Sequence, residues 1–148
     1  MSDRASTILL VEDNPDDVRL ARHAFKKAGP AYHIQVVRDG VEALDYIYGL
    51  GAFSSENINA MPKLILMDIK LPLVDGVEVL RVIKADGRTR NIPVVMLTSS
   101  REERDIAESY RLGVNSYIVK PVDFDEFART LELVGRYWIT LNNPPAQN

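Results

Sequence analysis

Five short apolar runs constrain the fold of this chain more than any other feature: Ile8-Leu9-Leu10-Val11, Ile34-Gln35-Val36-Val37, Leu64-Ile65-Leu66-Met67, Val94-Val95-Met96-Leu97 and Tyr117-Ile118-Val119. Most are continuous rather than alternating, the pattern of strands covered on both faces in a parallel sheet. Helical spacing fills the gaps between them. Val18, Ala21, Phe25 and Ala28 mark a first apolar face, Val41, Leu44, Ile47 and Tyr48 a second, and Val77, Leu80 and Ile83 a third; Ile106, Ala107 and Tyr110 give a shorter fourth. Start signals agree. Asn14-Pro15-Asp16-Asp17 offers a capping side chain, proline at the first helical position and two acids for the positive end of the helix dipole. Ser100-Arg101-Glu102-Glu103 reads as a capping box and Asp123-Phe124-Asp125-Glu126 as a related start, with stops at Gly29-Pro30, Gly87 and Gly113. Strand and helix thus alternate along the chain. Right-handed crossovers turn that order into an α/β fold, a doubly wound five-stranded parallel sheet with helices on both faces. The 148 residues suit a single domain, 1–148, with its core over about 7–138 and a tail over 139–148. Residues 49–62, rich in Gly, Ser and Asn, are expected to form a long surface loop.

Composition removes whole classes of chemistry. There is no cysteine, which excludes disulfides, thiolate metal sites and cysteine nucleophiles, and only two histidines, His23 and His33. Neither is expected to carry a phosphoryl group: His23 falls on the first helix and His33 opens the second strand. A net charge of −3 argues against nucleic acid as the main partner. Glu12 and Asp13 end the first apolar run at once, and no stretch approaches the roughly 18 apolar residues of a spanning helix. The expectation is a cytoplasmic protein with no membrane partner.

In an open parallel sheet, ligands collect outside the carboxyl ends of the strands. Glu12-Asp13 follows the first run, Asp68 the third, Thr98-Ser99-Ser100 the fourth and Lys120-Pro121 the fifth. Three acids at one rim repel each other and call for a counter-charge. A hard divalent cation with oxygen ligands supplies it, and Mg²⁺ takes one or two carboxylates and keeps several waters. Asp13 and Asp68 are the expected direct ligands, Glu12 acts through a water, and the backbone carbonyl of Lys70 adds an oxygen. Lys120 and the Thr98 hydroxyl are placed to meet phosphoryl oxygens. This set suits phosphoryl transfer to a carboxylate, with Asp68 as the nucleophile. Each element alone is more often a cap or a turn; the ordered set, one element per strand end, carries the weight.

These residues resemble the receiver domain of two-component response regulators. The resemblance rests on Ile8 to Asn14, Leu66-Met67-Asp68-Ile69-Lys70-Leu71-Pro72, Asp75-Gly76, Leu97-Thr98-Ser99 and Val119-Lys120-Pro121, and runs from about Thr7 to Trp138. It implies a flavodoxin-like receiver fold and a histidine kinase that phosphorylates Asp68. It also implies Mg²⁺ held at Glu12, Asp13 and Asp68, phosphoryl contacts from Thr98 and Lys120, and an aromatic switch at Tyr117. A closer resemblance is to small stand-alone regulators paired with bacterial phytochromes. It rests on Asn14 to Leu20, Val37 to Leu44, the long connection before Pro62 and the ending Tyr137-Trp138-Ile139-Thr140. It implies a phytochrome as the kinase.

A phosphoryl group on Asp68 adds charge and acceptor oxygens that should draw Thr98 inward. Tyr117 could then turn into the space vacated, and the face made by the fourth helix, fifth strand and fifth helix would change shape. Since little chain follows the last helix, output is expected from the domain's own surface or from onward phosphotransfer. In that helix Phe124, Phe127, Leu131, Val134, Trp138 and Leu141 form one sustained stripe, with a second line through Leu133 and Tyr137. Phe127, Leu131, Val134, Tyr137 and Trp138 are the expected interface of a homodimer, ordinary core packing being the alternative. Three rival functions remain. A haloacid-dehalogenase-type phosphohydrolase would need an acid two residues after the nucleophile, where Lys70 stands. A flavodoxin-like cofactor binder would need a Ser-, Thr- and Gly-rich first loop, where acids stand. A docking pseudo-receiver would keep the fold without the chemistry.

Overall fold

The computed structural model describes residues 7–28, 33–54 and 61–145. Strands β1 (Thr7–Val11), β2 (His33–Val37), β3 (Leu64–Met67), β4 (Val94–Thr98) and β5 (Ser116–Val119) form one sheet in the order β2-β1-β3-β4-β5. All four pairings are parallel. Helices α1 (Pro15–Ala28), α2 (Gly40–Tyr48), α3 (Gly76–Ala85), α4 (Glu103–Arg111) and α5 (Phe124–Gly135) alternate with the strands. Because successive strand side chains point to opposite faces, the continuous apolar runs divide between two cores. Leu9, Val11, Ile65, Met67, Val94 and Met96 pack with α2 and α3. Ile8, Leu10, Leu64, Leu66, Val95 and Leu97 pack with α1 and α5. Each such side chain, removed from water, is worth on the order of 1.5–3 kcal/mol, so a run with no exposed member needs helices over both faces of its strand.

Short polar side chains start four of the helices, two of them, Asn14 and Asp123, as the sequence suggests. Asn14 accepts from the Asp16 N–H at 2.9 Å, Asp39 from Glu42 at 2.8 Å, Asp75 from Glu78 at 3.0 Å and Asp123 from Asp125 at 2.8 Å. Ser100 is different. Helix α4 begins only at Glu103, with Glu102 as an N-cap that makes no side-chain cap bond, and the Ser100 hydroxyl accepts from the Glu102 N–H and donates to Asp105 at 2.6 Å, so the expected capping box does not form.

Two helical faces are rotated from their predicted positions. In α2 the buried residues are Gly40, Ala43, Tyr46 and Ile47, while Val41 is on the surface. Gly40 sets this rotation: it seats so closely on the loop before α3 that a Cβ would stand 1.9 Å from the Val74 carbonyl oxygen. In α4 only Ser109 is buried, and Ala107 and Tyr110 are exposed, because this helix packs against α3 and the edge strand β5 rather than across the sheet.

The end of the chain also departs from expectation. After α5 the backbone widens into π-helical turns over Arg136–Leu141. With more residues per turn, the inward position passes to Ile139, which is buried with α1 and α5, whereas Trp138 is half-buried and Leu141 exposed. The core therefore extends past 138. Pro144 and Pro145 line a cavity with Met61, Pro62, Lys63, Asn91 and Pro93. The stop at Gly29-Pro30 and the middle of the 49–62 loop lie outside the described residues. Before that gap Gly49 takes φ 66° to end α2, and a 3₁₀ turn over Gly51–Phe53 sets the Phe53 ring edge-on to Tyr46 at 5.1 Å.

At the opposite end of the sheet from the strand carboxyl ends, Lys84 donates to the carbonyls of Arg90 and Ile92, both at 2.8 Å, and to Asn115 Oδ1 at 3.0 Å. Burial pushes this ammonium down to about 8. The unfolded chain then binds more protons than the folded one between about pH 8 and 10.5, so stability rises with pH across that window. Discounted for the partial exposure of Lys84, the gain is on the order of 1–2 kcal/mol, and it should be absent from Lys84→Met. Urea midpoints of both proteins at pH 7.5 and 10, corrected for each other, read it directly; parallel pH responses would contradict it.

Candidate functional site

The strand order reverses between β1 and β3, and the carboxyl ends of the strands there open a crevice. Asp68 follows β3 directly. Its N–H bonds to the Val11 carbonyl at 3.1 Å, so the β1–β3 ladder continues into the acid itself. Its Oδ1 accepts from the Lys70 N–H at 3.3 Å and its Oδ2 from Lys120 Nζ at 3.0 Å. A cleft of about 270 Å³ stands in front of it, lined by Asp68, Lys70, Thr98, Ser99 and Ser100.

Lys120 is the centre of the site. Its ammonium, 9% exposed, also meets Glu12 Oε1 and Asp17 Oδ2, both at 2.8 Å. Burial opposes its charge, but the carboxylates of Asp17, Glu12 and Asp68 outweigh that and hold its pKa above the ordinary lysine value. Glu12 is buried and its pKa is raised, burial outweighing the Lys120 contact; its second oxygen accepts from the Asn14 N–H at 3.1 Å. Thr98 is buried at the end of β4, and its Oγ1 accepts from the Ser100 N–H at 3.3 Å. Tyr117 is half-buried and donates to the Ser100 carbonyl at 3.1 Å, so one residue links the Thr98 hydroxyl, the Tyr117 ring and α4.

The structure thus brings Glu12, Asp68, Thr98 and Lys120 to one rim and places Tyr117 one residue-link away. Asp13 is on the exposed side of that rim. The counter-charge to the acids comes in part from within the chain. Lys120 sits among Glu12, Asp17 and Asp68, and among the described residues no three His, Asp or Glu side chains stand grouped as a ready metal site. Three carboxylates, Glu12, Asp17 and Asp68, nevertheless face one ammonium, Asp13 adjoins Glu12 in the chain, and an all-oxygen donor set of this kind suits a hard divalent cation.

Two features of the site were not legible as such in the sequence. Asp17 reads there as a helix-dipole acid; its place in the first turn after β1, the strand that carries Glu12, was the available signal. Ser100 reads as a cap and is a link. The expected interface needs correction. Phe127, Leu131 and Val134 are buried in the chain's own core against α1, because α5 packs its stripe on the sheet. The exposed apolar line is instead Phe124, Leu133, Tyr137 and Leu141.

The pattern of the response regulator receiver domain matches residues 8–132. The chain belongs to the response regulator receiver family. Receiver relatives include the probable methanogenesis regulatory protein FilR2 of Methanothrix harundinacea, 41% identical over 93% of this chain and 86% of that protein. The response regulator Rcp1 of Synechocystis is 34% identical over 99% of each. Among solved structures, the phosphorylated cyanobacterial phytochrome response regulator RcpA superposes with a TM-score of 0.89 at 37% identity, covering 95% of this chain and 99% of that one. The Mn(2+)-bound form of Rcp1 gives 0.88 at 34% identity over the same shares. The bacteriophytochrome response regulator AtBRR gives 0.71 at 48% identity, over 93% of this chain and 98% of that one. The receiver is therefore homologous to phytochrome response regulators, and the phosphohydrolase reading has no support. No helix among its described residues is long and apolar enough to cross a membrane.

Proposed function

We propose that this receiver accepts a phosphoryl group on Asp68 from a sensor histidine kinase of the phytochrome class, and that the face of α4, β5 and α5 changes in response. The observation that carries the reading is the placement of Asp68 in the crevice, held by Lys120 and fronted by the Thr98 end of β4. A carboxylate oxygen of Asp68 bonds to phosphorus as the donor's phosphorus–nitrogen bond breaks and its electron pair leaves with the imidazole. Lys120 meets the charge on one phosphoryl oxygen, and Thr98 can offer its hydroxyl to another. A divalent cation, read as Mg²⁺, fits Asp13, Asp68, Glu12 through a water and the Lys70 carbonyl, and when bound it neutralises phosphoryl charge. Movement of Thr98 toward the phosphoryl group takes its Oγ1 from the Ser100 N–H, and the same residue's carbonyl holds Tyr117 and its hydroxyl holds α4. Support for a phytochrome input is the homology to RcpA and AtBRR.

Intact mass after incubation with acetyl phosphate tests the core of this reading. A gain of one phosphoryl group that needs Mg²⁺ and is absent in Asp68→Asn is expected; a variant that labels like the wild type would refute the assignment. A homodimer is part of the same reading, now through Leu133, Tyr137, Trp138 and Leu141, the accessible part of the last helix. Sedimentation at high micromolar concentration should give a dimer, and a monomer with and without acyl phosphate would remove that part alone.

A further inference from the structure

An ammonium has three N–H donors, and those of Lys120 are all engaged: Glu12 Oε1 at 2.8 Å, Asp17 Oδ2 at 2.8 Å and Asp68 Oδ2 at 3.0 Å. Two of these partners come from strand ends. Asp17 comes from the first turn of α1, where a carboxylate ordinarily does no more than complement the helix dipole. Here it reaches across to the residue that follows β5. The Asp17 side chain is 23% exposed, more open to water than the lysine it holds, which is itself nearly closed off. A lysine head on a flexible four-carbon stem points where its acceptors hold it. With Glu12 and Asp17 both on the β1–α1 side, the third N–H is left on the oxygen of Asp68.

We propose that Asp17 is a positioning residue for phosphoryl uptake, holding the Lys120 ammonium together with Glu12 so that its third N–H faces the reacting oxygens at Asp68. The inference rests on the reading of Asp68 as acceptor and deepens it. When the new oxygen–phosphorus bond forms and the leaving group departs with its electron pair, the N–H on Asp68 passes to a phosphoryl oxygen. Those on Glu12 and Asp17 stay where they are, so Lys120 need not search for its place. Without the Asp17 carboxylate one N–H turns to water, and the head group is free to follow it.

The test is the rate of labelling of the full chain by acetyl phosphate in Mg²⁺ buffer, read by intact mass. It compares wild type, Asp17→Asn, Asp17→Ala, Lys120→Met and the double variant Asp17→Ala/Lys120→Met, with an unfolding midpoint for each. Asp17→Ala is expected to lower the saturated rate about tenfold, with the half-saturating donor concentration unchanged within about twofold. Asp17→Asn keeps an oxygen acceptor at the same distance and should recover part of the rate; it carries the test if the alanine variant is poorly folded. Since Asp17 acts through Lys120, its removal should cost nothing further in the Lys120→Met background. Wild-type rates in both Asp17 variants, or losses at the two positions that multiply independently, overturn the proposal. A wild type that takes up no phosphoryl group at all overturns the reading of Asp68 beneath it.

Discussion

Lys120→Met is expected to lower phosphoryl uptake from acetyl phosphate by about 10²-fold, the usual cost of deleting one aligned donor to developing charge. The same change should act on the fold. Glu12 and Asp68 are buried, Asp17 is partly so, and all three lose their counter-charge. Breaking a buried pair costs on the order of 3–5 kcal/mol while the stranded group stays ionised. Glu12 has a way out, because its burial already raises its pKa and losing Lys120 raises it further. The folded variant then holds a proton that the unfolded chain releases above its ordinary carboxyl pKa, so the variant loses stability as pH rises. Urea unfolding should show a small deficit against wild type near pH 5 and a larger one at pH 8. A deficit equal at both would mean that Glu12 does not depend on Lys120 for its charge.

Gly76→Ala is the second large effect. A Cβ at Gly76 would lie 2.3 Å from the carbonyl oxygen of Asp68 and 2.9 Å from the Ile69 Cα, both backbone atoms that cannot rotate away. The Gly76 N–H also donates to the Ile69 carbonyl at 2.7 Å, so the start of α3 and the segment after β3 are clamped together. Relief requires one of them to move. The expected cost is about 3 kcal/mol, at the upper end of overpacking, with slower labelling because the displaced backbone is that of the acceptor. Gly87 is the control: a Cβ there meets nothing within 4 Å, and alanine should change stability by less than about 1 kcal/mol. Equal midpoints for the two variants would contradict the contact. Between Asp68 and Gly76, Leu73 takes φ 68° with its side chain 79% exposed, a conformation costing on the order of 1 kcal/mol for a residue with a Cβ.

Strand number, strand parallelism and the polar residues at the strand ends were legible in the chain because each is local. A run with apolar residues on both of its alternating faces has to be covered on both faces, and whatever polar residue ends such a run has to appear at the sheet's rim. Glu12, Asp68, Thr98 and Lys120 are readable for that reason, as are the caps Asn14 and Asp123, whereas the caps Asp39 and Asp75 emerged only in the fold. Helical faces were less legible where neighbours set the rotation. Gly40 turns α2 by its close seat on the loop before α3, and α4 sits at the sheet edge, where its apolar residues stay largely uncovered.

The final helix shows the boundary most clearly. Its apolar spacing fits one uninterrupted stripe, and the periodicity alone does not separate core from interface. The tertiary structure decided that Phe127, Leu131 and Val134 belong to the core and that the widened turns after Gly135 hand the buried place to Ile139. The partner of Lys120 on α1 was decided at the same level. Asp17 and Lys120 stand far apart in the chain, and nothing in the spacing of either predicts the other. A covered strand is dictated by the solubility of its own side chains, but the pairing of a charge depends on which helix terminus the folded sheet brings beside it.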